Sequence, residues 1–200
     1  MKKAEDQMYK NKLIEAKNVQ HYMINFLTKT LFDKGIETEE HSERVVKLSK
    51  KFAERLKLSN KNLEALLLYA KLHNIGKITL DKKILKKKGK LKQEELAEFK
   101  KHIESGYRIA SSSVLLNQIS EYILSHHEQL DGNGYPRGLK KEKIPLISRI
   151  FAIVEAYDEL IYGNFNIKPV SKQKAIEELK NLSGVKFDPN LVKIFLEIIQ

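Results

Sequence analysis

Residues 38–77 read TEEHSERVVKLSKKFAERLKLSNKNLEALLLYAKLHNIGK, and their spacing decides the fold class. Val45, Leu48, Phe52 and Leu56 follow one helical face after Thr38, and Leu63, Leu66, Leu67 and Ala70 follow another after Ser59. Apolar residues three and four apart line one side of a helix, and a Thr or Ser just before the first turn supplies the oxygen that caps it. The two segments therefore read as a packed helix pair. Outward from this pair, four prolines and nine glycines in 200 residues leave long stretches without a breaker. Further helical patterns run over 93–112, 115–126, 146–162, 171–182 and 190–199, and no strand pattern or repeat competes with them. Ile24, Leu27 and Leu31 add an N-terminal helix that leads into the bundle and lies on its core. The fold class read from these patterns is all-α.

The irregular part is residues 130–145, LDGNGYPRGLKKEKIP, where three glycines and two prolines in sixteen positions specify a loop of defined shape. The lysine-rich run at 82–92 reads as a solvated face near a turn at Gly89.

Composition narrows the function classes. Apolar residues make up 42% and charged residues 32%, which suits a folded domain rather than a disordered chain. There is no cysteine, so any metal must be held by His, Asp or Glu. No apolar run approaches the roughly 18 to 20 residues of a membrane span, and residues 1–17 are too charged for a secretory signal. The expectation is a soluble, cytoplasmic protein with no membrane segment. The net charge of +11 favours anionic ligands by steering, without selecting one.

Chemistry concentrates in the histidines. His41 lies four before Val45 and seven before Leu48, so it projects from the buried stripe, and Glu37 shares that side if the helix extends so far. His73 follows Tyr69 by four and Leu66 by seven. His126 follows Tyr122 and Ile119 in the same way, and His127 follows Ile123 by four. Glu155 and Asp158 lie one turn apart on the last long apolar helix, where both can face one interior site. A lone histidine on an apolar stripe is ordinarily a hydrogen-bonded core residue. Several together with carboxylates are costly to bury unless a metal satisfies their nitrogens and charges at once. A basic nucleic-acid binder leaves this pattern unexplained, and no DNA partner is expected.

The motifs HSERV at His41, LHNIGKI around His73, KHIESGYRIA at His102, ILSHHEQLDGNGYPRGL from Ile123 and IPLISRIFAIVEAYDEL from Ile144 resemble, in residues and in order, the HD-GYP branch of the HD-domain phosphohydrolases. The closing FDPNLVKIF is similar as well. The resemblance covers residues 20–200, while KKAEDQMYKNKL in a tail at 1–19 resembles the last helix of a GGDEF domain. It implies an HD-domain helical bundle that hydrolyses cyclic di-GMP, or a related cyclic dinucleotide, to linear pGpG or GMP with two or three divalent ions, iron or manganese. By motif position the ligands would be Glu37, His41, His73, Asn74, His102, His126, His127 and Glu155. Asn74 and Lys77 would carry catalysis, and Lys77, Tyr135 and Lys168 would contact substrate. Asp131, Gly132, Gly134, Tyr135 and Pro136 would form the motif loop. A GGDEF domain in the same parent chain and a homodimer are the partners it implies. The ions suit a phosphodiester, because they activate water near neutral pH and screen the phosphoryl oxygens.

Three positions depart from the family pattern. The usual His-Asp doublet is His73-Asn74, so a neutral carbonyl replaces a carboxylate able to bridge ions. Glu155 stands where Asp is usual. Asn164 and Ile167 stand where the family presents phosphate-gripping cations, with Lys168 nearby. Two functions follow: a metal-dependent cyclic di-GMP phosphodiesterase, impaired by Asn74, or a catalytically inactive module that binds the dinucleotide or a protein partner.

Overall fold

The structure is a computed structural model and describes residues 2–87, 89–164 and 167–199. Within the first helix the side chains of 2–7, 9–14, 16 and 17 lie outside the described residues, and with them most of the stretch that resembles a GGDEF domain. Helices α1 (Lys2–Asp33), α2 (Glu39–Arg55), α3 (Asn60–Leu72), α4 (Lys82–Leu85), α5 (Gln93–Ser111), α6 (Asn117–Leu124), α7 (Leu146–Tyr162), α8 (Lys172–Asn181) and α9 (Pro189–Ile199) make an all-α fold. No strand occurs among the described residues, and no helix there is long and apolar enough to cross a membrane.

The expected helix pair is present. Thr38 Oγ1 accepts the His41 N–H at 3.2 Å to start α2, and Ser59 Oγ accepts the Asn62 N–H at 3.4 Å to start α3. Their stripes meet α7 and α9 in one core: Phe52, Leu66, Tyr69, Phe151 and Phe195 are fully buried, with the Phe52 and Phe195 rings 5.2 Å apart. Burying a side chain of that size contributes about 2–3 kcal/mol. The N-terminal helix lies on the core through the expected residues. Met23, Ile24, Leu27 and Leu31 meet the core, whereas Val19, Tyr22 and Phe26, on another stripe of the same helix, are exposed. It runs without a break through residues 19 and 20. In the lysine run, Lys82, Lys83, Lys86, Lys90 and Lys92 are exposed, Lys87 pairs with Glu95, and Lys88 lies outside the described residues.

Two close approaches place the functional segments. The 3-10 turn Ile75–Thr79 lies flush on α5, where a Cβ on Gly76 would sit 1.8 Å from the His102 carbonyl oxygen and 2.6 Å from the Gly106 nitrogen. Only glycine permits this contact, which brings the end of α3 beside His102. The second is the 130–145 loop, anchored by the buried Glu128. Its carboxylate accepts the Arg137 N–H and the Leu139 N–H, each at 2.8 Å. Further bonds run from Tyr135 N–H to His127 O and from Asp131 N–H to Val185 O. The loop is thus tied both to the end of α6 and to the α8–α9 connection, and Tyr135 is carried over His127.

Candidate metal centre

The histidine register holds, with two changes of detail. Glu37 precedes α2 rather than riding on it, because Thr38 takes the cap position. His126 and His127 lie in the turn after α6, not on the helix, since α6 ends at Leu124 and the His126 N–H returns to Ile123 O. Both changes leave the side chains facing inward.

Five imidazoles form a continuous row. Ring centroids lie 5.9 Å apart for His41 and His73, 5.3 Å for His73 and His126, 4.4 Å for His126 and His127, and 5.5 Å for His127 and His102. Acids sit beside it. Glu37 lies 3.6 Å from His41 Nε2 and 3.5 Å from His73 Nε2, while Glu155 Oε1 lies 3.3 Å from His73 Nε2 and 3.4 Å from His126 Nε2. Glu37, His41 and His73 form one group able to hold an ion, and His73, His126 and Glu155 form another. His21 is exposed on α1 and takes no part.

The far nitrogens of these rings show which atoms face the centre. His73 Nδ1–H donates to Ala70 O at 2.9 Å, and His102 Nδ1–H donates to Phe99 O at 2.5 Å, so each turns an unprotonated Nε2 inward. His41 Nδ1–H donates to Asp158 Oδ2 at 2.7 Å, and Arg44 grips both oxygens of the same carboxylate at 2.7 and 2.8 Å. Asp158 therefore holds His41 from behind instead of facing the interior beside Glu155, a backing bond of the kind that orients ligand histidines. Tyr69 Oη hydrogen-bonds His126 Nδ1 at 2.8 Å.

Among the described residues, the buried Nε2 atoms of His102, His126 and His127 have no hydrogen-bond partner. Buried polar atoms are ordinarily satisfied, and three orphaned imidazole lone pairs beside two carboxylates are the donor set of a divalent cation. The residues present fit the ions implied by the family. Asn74 is the exception. Its Nδ2 donates to Glu37 Oε2 at 2.8 Å and to His73 Nε2 at 2.7 Å, while its Oδ1 is buried without a partner. The amide thus engages two lone pairs that a cation would need.

Electrostatics follow burial. Desolvation, with the Lys77 charge, pushes His102 down to about 3. Burial also lowers His126, and lowers His127 further with the help of its neighbour. His41 moves up: burial opposes this, but the bond from Asp158 and the Glu37 charge outweigh it. Glu155 is held well below the usual carboxylate range by the imidazoles of His126 and His73 beside it, which outweigh its burial.

These shifts give a pH dependence of stability with a definite sign. Below about 6.5 the unfolded chain takes up protons on its histidines, whereas native His102, pushed down to about 3, resists them and His126 and His127, shifted the same way, take them up less readily, so stability falls as pH falls. His41, shifted up, already contributes fully below 6.5 and changes nothing in that window. Metal-free protein melted at pH 5.0 should lose about 1.6 kcal/mol from His102 alone relative to pH 6.5, a Tm lower by about 3–6 °C, and more from His126 and His127. Equal melting temperatures would show that the rings are not buried neutral.

A small cleft of about 90 Å³ opens beside the row, lined by His126, His127, Tyr135, Glu155, Glu159 and Lys186 among others. Tyr135 stacks on His127 with centroids 4.9 Å apart, and the Lys100 ammonium lies over the Tyr135 ring, 4.7 Å from its centroid. Lys77 is half-buried on the 3-10 turn, its Nζ 5.7 Å from the Phe99 ring centroid. Lys168 is exposed on the segment after α7. Arg44, Glu128, Glu159 and Lys186 were not singled out from sequence. Glu128 carried a signal, an acid directly before a loop rich in backbone N–H groups; the other three had none.

A model of the HD domain matches residues 25–191, and the chain belongs to the HD-domain family. Within it, the chain is of the HD-GYP type. It is 37% identical over 167 residues to a cyclic di-GMP phosphodiesterase of Thermotoga maritima, covering 82% of this chain and 45% of that one. It is 30% identical over 189 residues to 3'3'-cGAMP-specific phosphodiesterase 2 of Vibrio cholerae, covering 94% and 36%. The chain thus spans less than half the length of these curated relatives. Among solved structures, an HDG"Y"P protein of Bdellovibrio bacteriovorus superposes with a TM-score of 0.65 at 23% identity, covering 80% of this chain and 51% of that one. That likeness concerns the fold.

Proposed function

We propose that this domain is a metal-dependent phosphodiesterase that hydrolyses cyclic di-GMP, or a related cyclic dinucleotide, to the linear dinucleotide or GMP. The observation that carries this reading is the row of five imidazoles flanked by Glu37 and Glu155, in which the buried Nε2 atoms of His102, His126 and His127 have no partner, beside a cleft. Glu37, His41, His73, His126 and Glu155 would hold divalent ions, with His102, His127 and position 74 completing the set. Bound iron or manganese would supply Lewis acidity toward a phosphodiester and lower the pKa of water.

The chain's own residues prepare that chemistry. Asp158 and Arg44 hold His41 in one tautomer. The Lys77 ammonium helps keep His102 neutral and supplies positive charge next to the row, where charge builds on phosphoryl oxygens. Tyr135, carried by the loop that Glu128 anchors, presents an aromatic wall to the cleft. Residues 1–19 as the end of a GGDEF domain, a cytoplasmic setting and a homodimer belong to the same reading.

Asn74 favours a second reading, a silent receptor, because its amide occupies lone pairs needed for ions. One preparation separates the two. Protein purified with manganese or iron is assayed for metal per chain and, by chromatography, for linear product. Product with bound metal is expected; near-full metal without product would favour the receptor, and absence of metal would overturn both.

A further inference from the structure

Glu159 lies one turn beyond Glu155 on α7 and lines the cleft together with Lys186. A carboxylate there works against an anionic ligand, since it repels phosphates and also feels the charge of Glu155. The usual remedy is absent: position 164, where the family pattern has a cation, is Asn. That residue instead holds the carboxylate in place. Asn164 Nδ2 donates to Glu159 Oε1 at 2.7 Å, and Asn164 Oδ1 accepts the Ile167 N–H at 2.8 Å, folding the loop onto Glu159. The chain has thus fixed the orientation of a carboxylate in the cleft without neutralising it.

A carboxylate at a cleft, with only one oxygen engaged by a neighbour, keeps acceptor capacity for paired N–H donors. Of the two purines, guanine presents such a pair on its Watson–Crick edge, the ring N1–H and the exocyclic amine. Adenine offers a lone pair at N1, which a carboxylate repels. We propose that Glu159, positioned by Asn164, selects guanine over adenine in the cleft, an inference that rests on the cyclic-dinucleotide reading above.

The test uses manganese-loaded protein and hydrolysis-resistant phosphorothioate analogues of cyclic di-GMP and cyclic di-AMP, titrated calorimetrically. The parent should bind the guanine analogue at least about tenfold more tightly, the worth of one charge-assisted pair. Glu159→Gln and Glu159→Ala should each bring the preference within about twofold by weakening the guanine analogue alone, with melting temperatures unchanged. A parent without preference, or a preference that survives both substitutions, overturns the role of Glu159 and leaves the cyclic-dinucleotide reading standing. Binding of neither analogue overturns both.

Discussion

An Asn74→Asp variant is expected to hold about one more divalent ion per chain than the parent and to turn over cyclic di-GMP on the order of 100-fold faster. The reason lies in lone pairs. The two candidate ion groups share His73, whose Nδ1–H is committed to Ala70 O, so it has a single nitrogen to give, and that nitrogen receives an Asn74 N–H. To accept an ion the amide must turn over, and it then offers one neutral oxygen. A carboxylate has no donors to withdraw, brings a negative charge and can reach two ions. The same change should lower the melting temperature of the metal-free protein, since it adds a third acid beside Glu37 and Glu155. Metal analysis, product chromatography and thermal melting with and without manganese check each part. An unchanged metal count would show that Asn74 does not limit ion binding.

The second large effect concerns a position that touches no ligand. Gly76→Ala should destabilise the domain by about 3 kcal/mol or more, a Tm lower by roughly 6–12 °C, and strip metal from the remaining folded protein. The new methyl would meet the backbone of His102 and Gly106, which cannot swing aside as a side chain can. Either the 3-10 turn lifts from α5 or α5 retreats, and both motions separate His102 from His73. Melting within 2 °C of the parent, with full metal content, would show that the close approach is dispensable.

The fold and much of the centre were legible before any coordinates. Val45, Leu48 and Phe52 announce one face of α2, and His41, His73 and His126 lie on the same faces as the apolar residues around them, so each had to project inward. The loop at 130–145 announced its irregularity through glycine and proline. Its anchor was harder to see, because an acid directly before the loop is a weak signal for Glu128 until two backbone N–H groups nine and eleven residues away turn toward it. Asp158 was read as a partner of Glu155 from helical spacing alone, but one turn of spacing does not fix direction. Arg44 and His41, on another helix, claim its carboxylate.

Sequence alone determined the all-α class, the helix faces and which residue types could hold a cation, because those depend on neighbours three or four positions away. Tertiary structure decided where each lone pair points. His41 meets Asp158 across 117 residues, and the Asn74 amide meets Glu37 across 37. Whether that amide turns its nitrogen or its oxygen to the centre, and whether Glu159 stands in the cleft held by Asn164, are set by groups that become neighbours only when the helices pack.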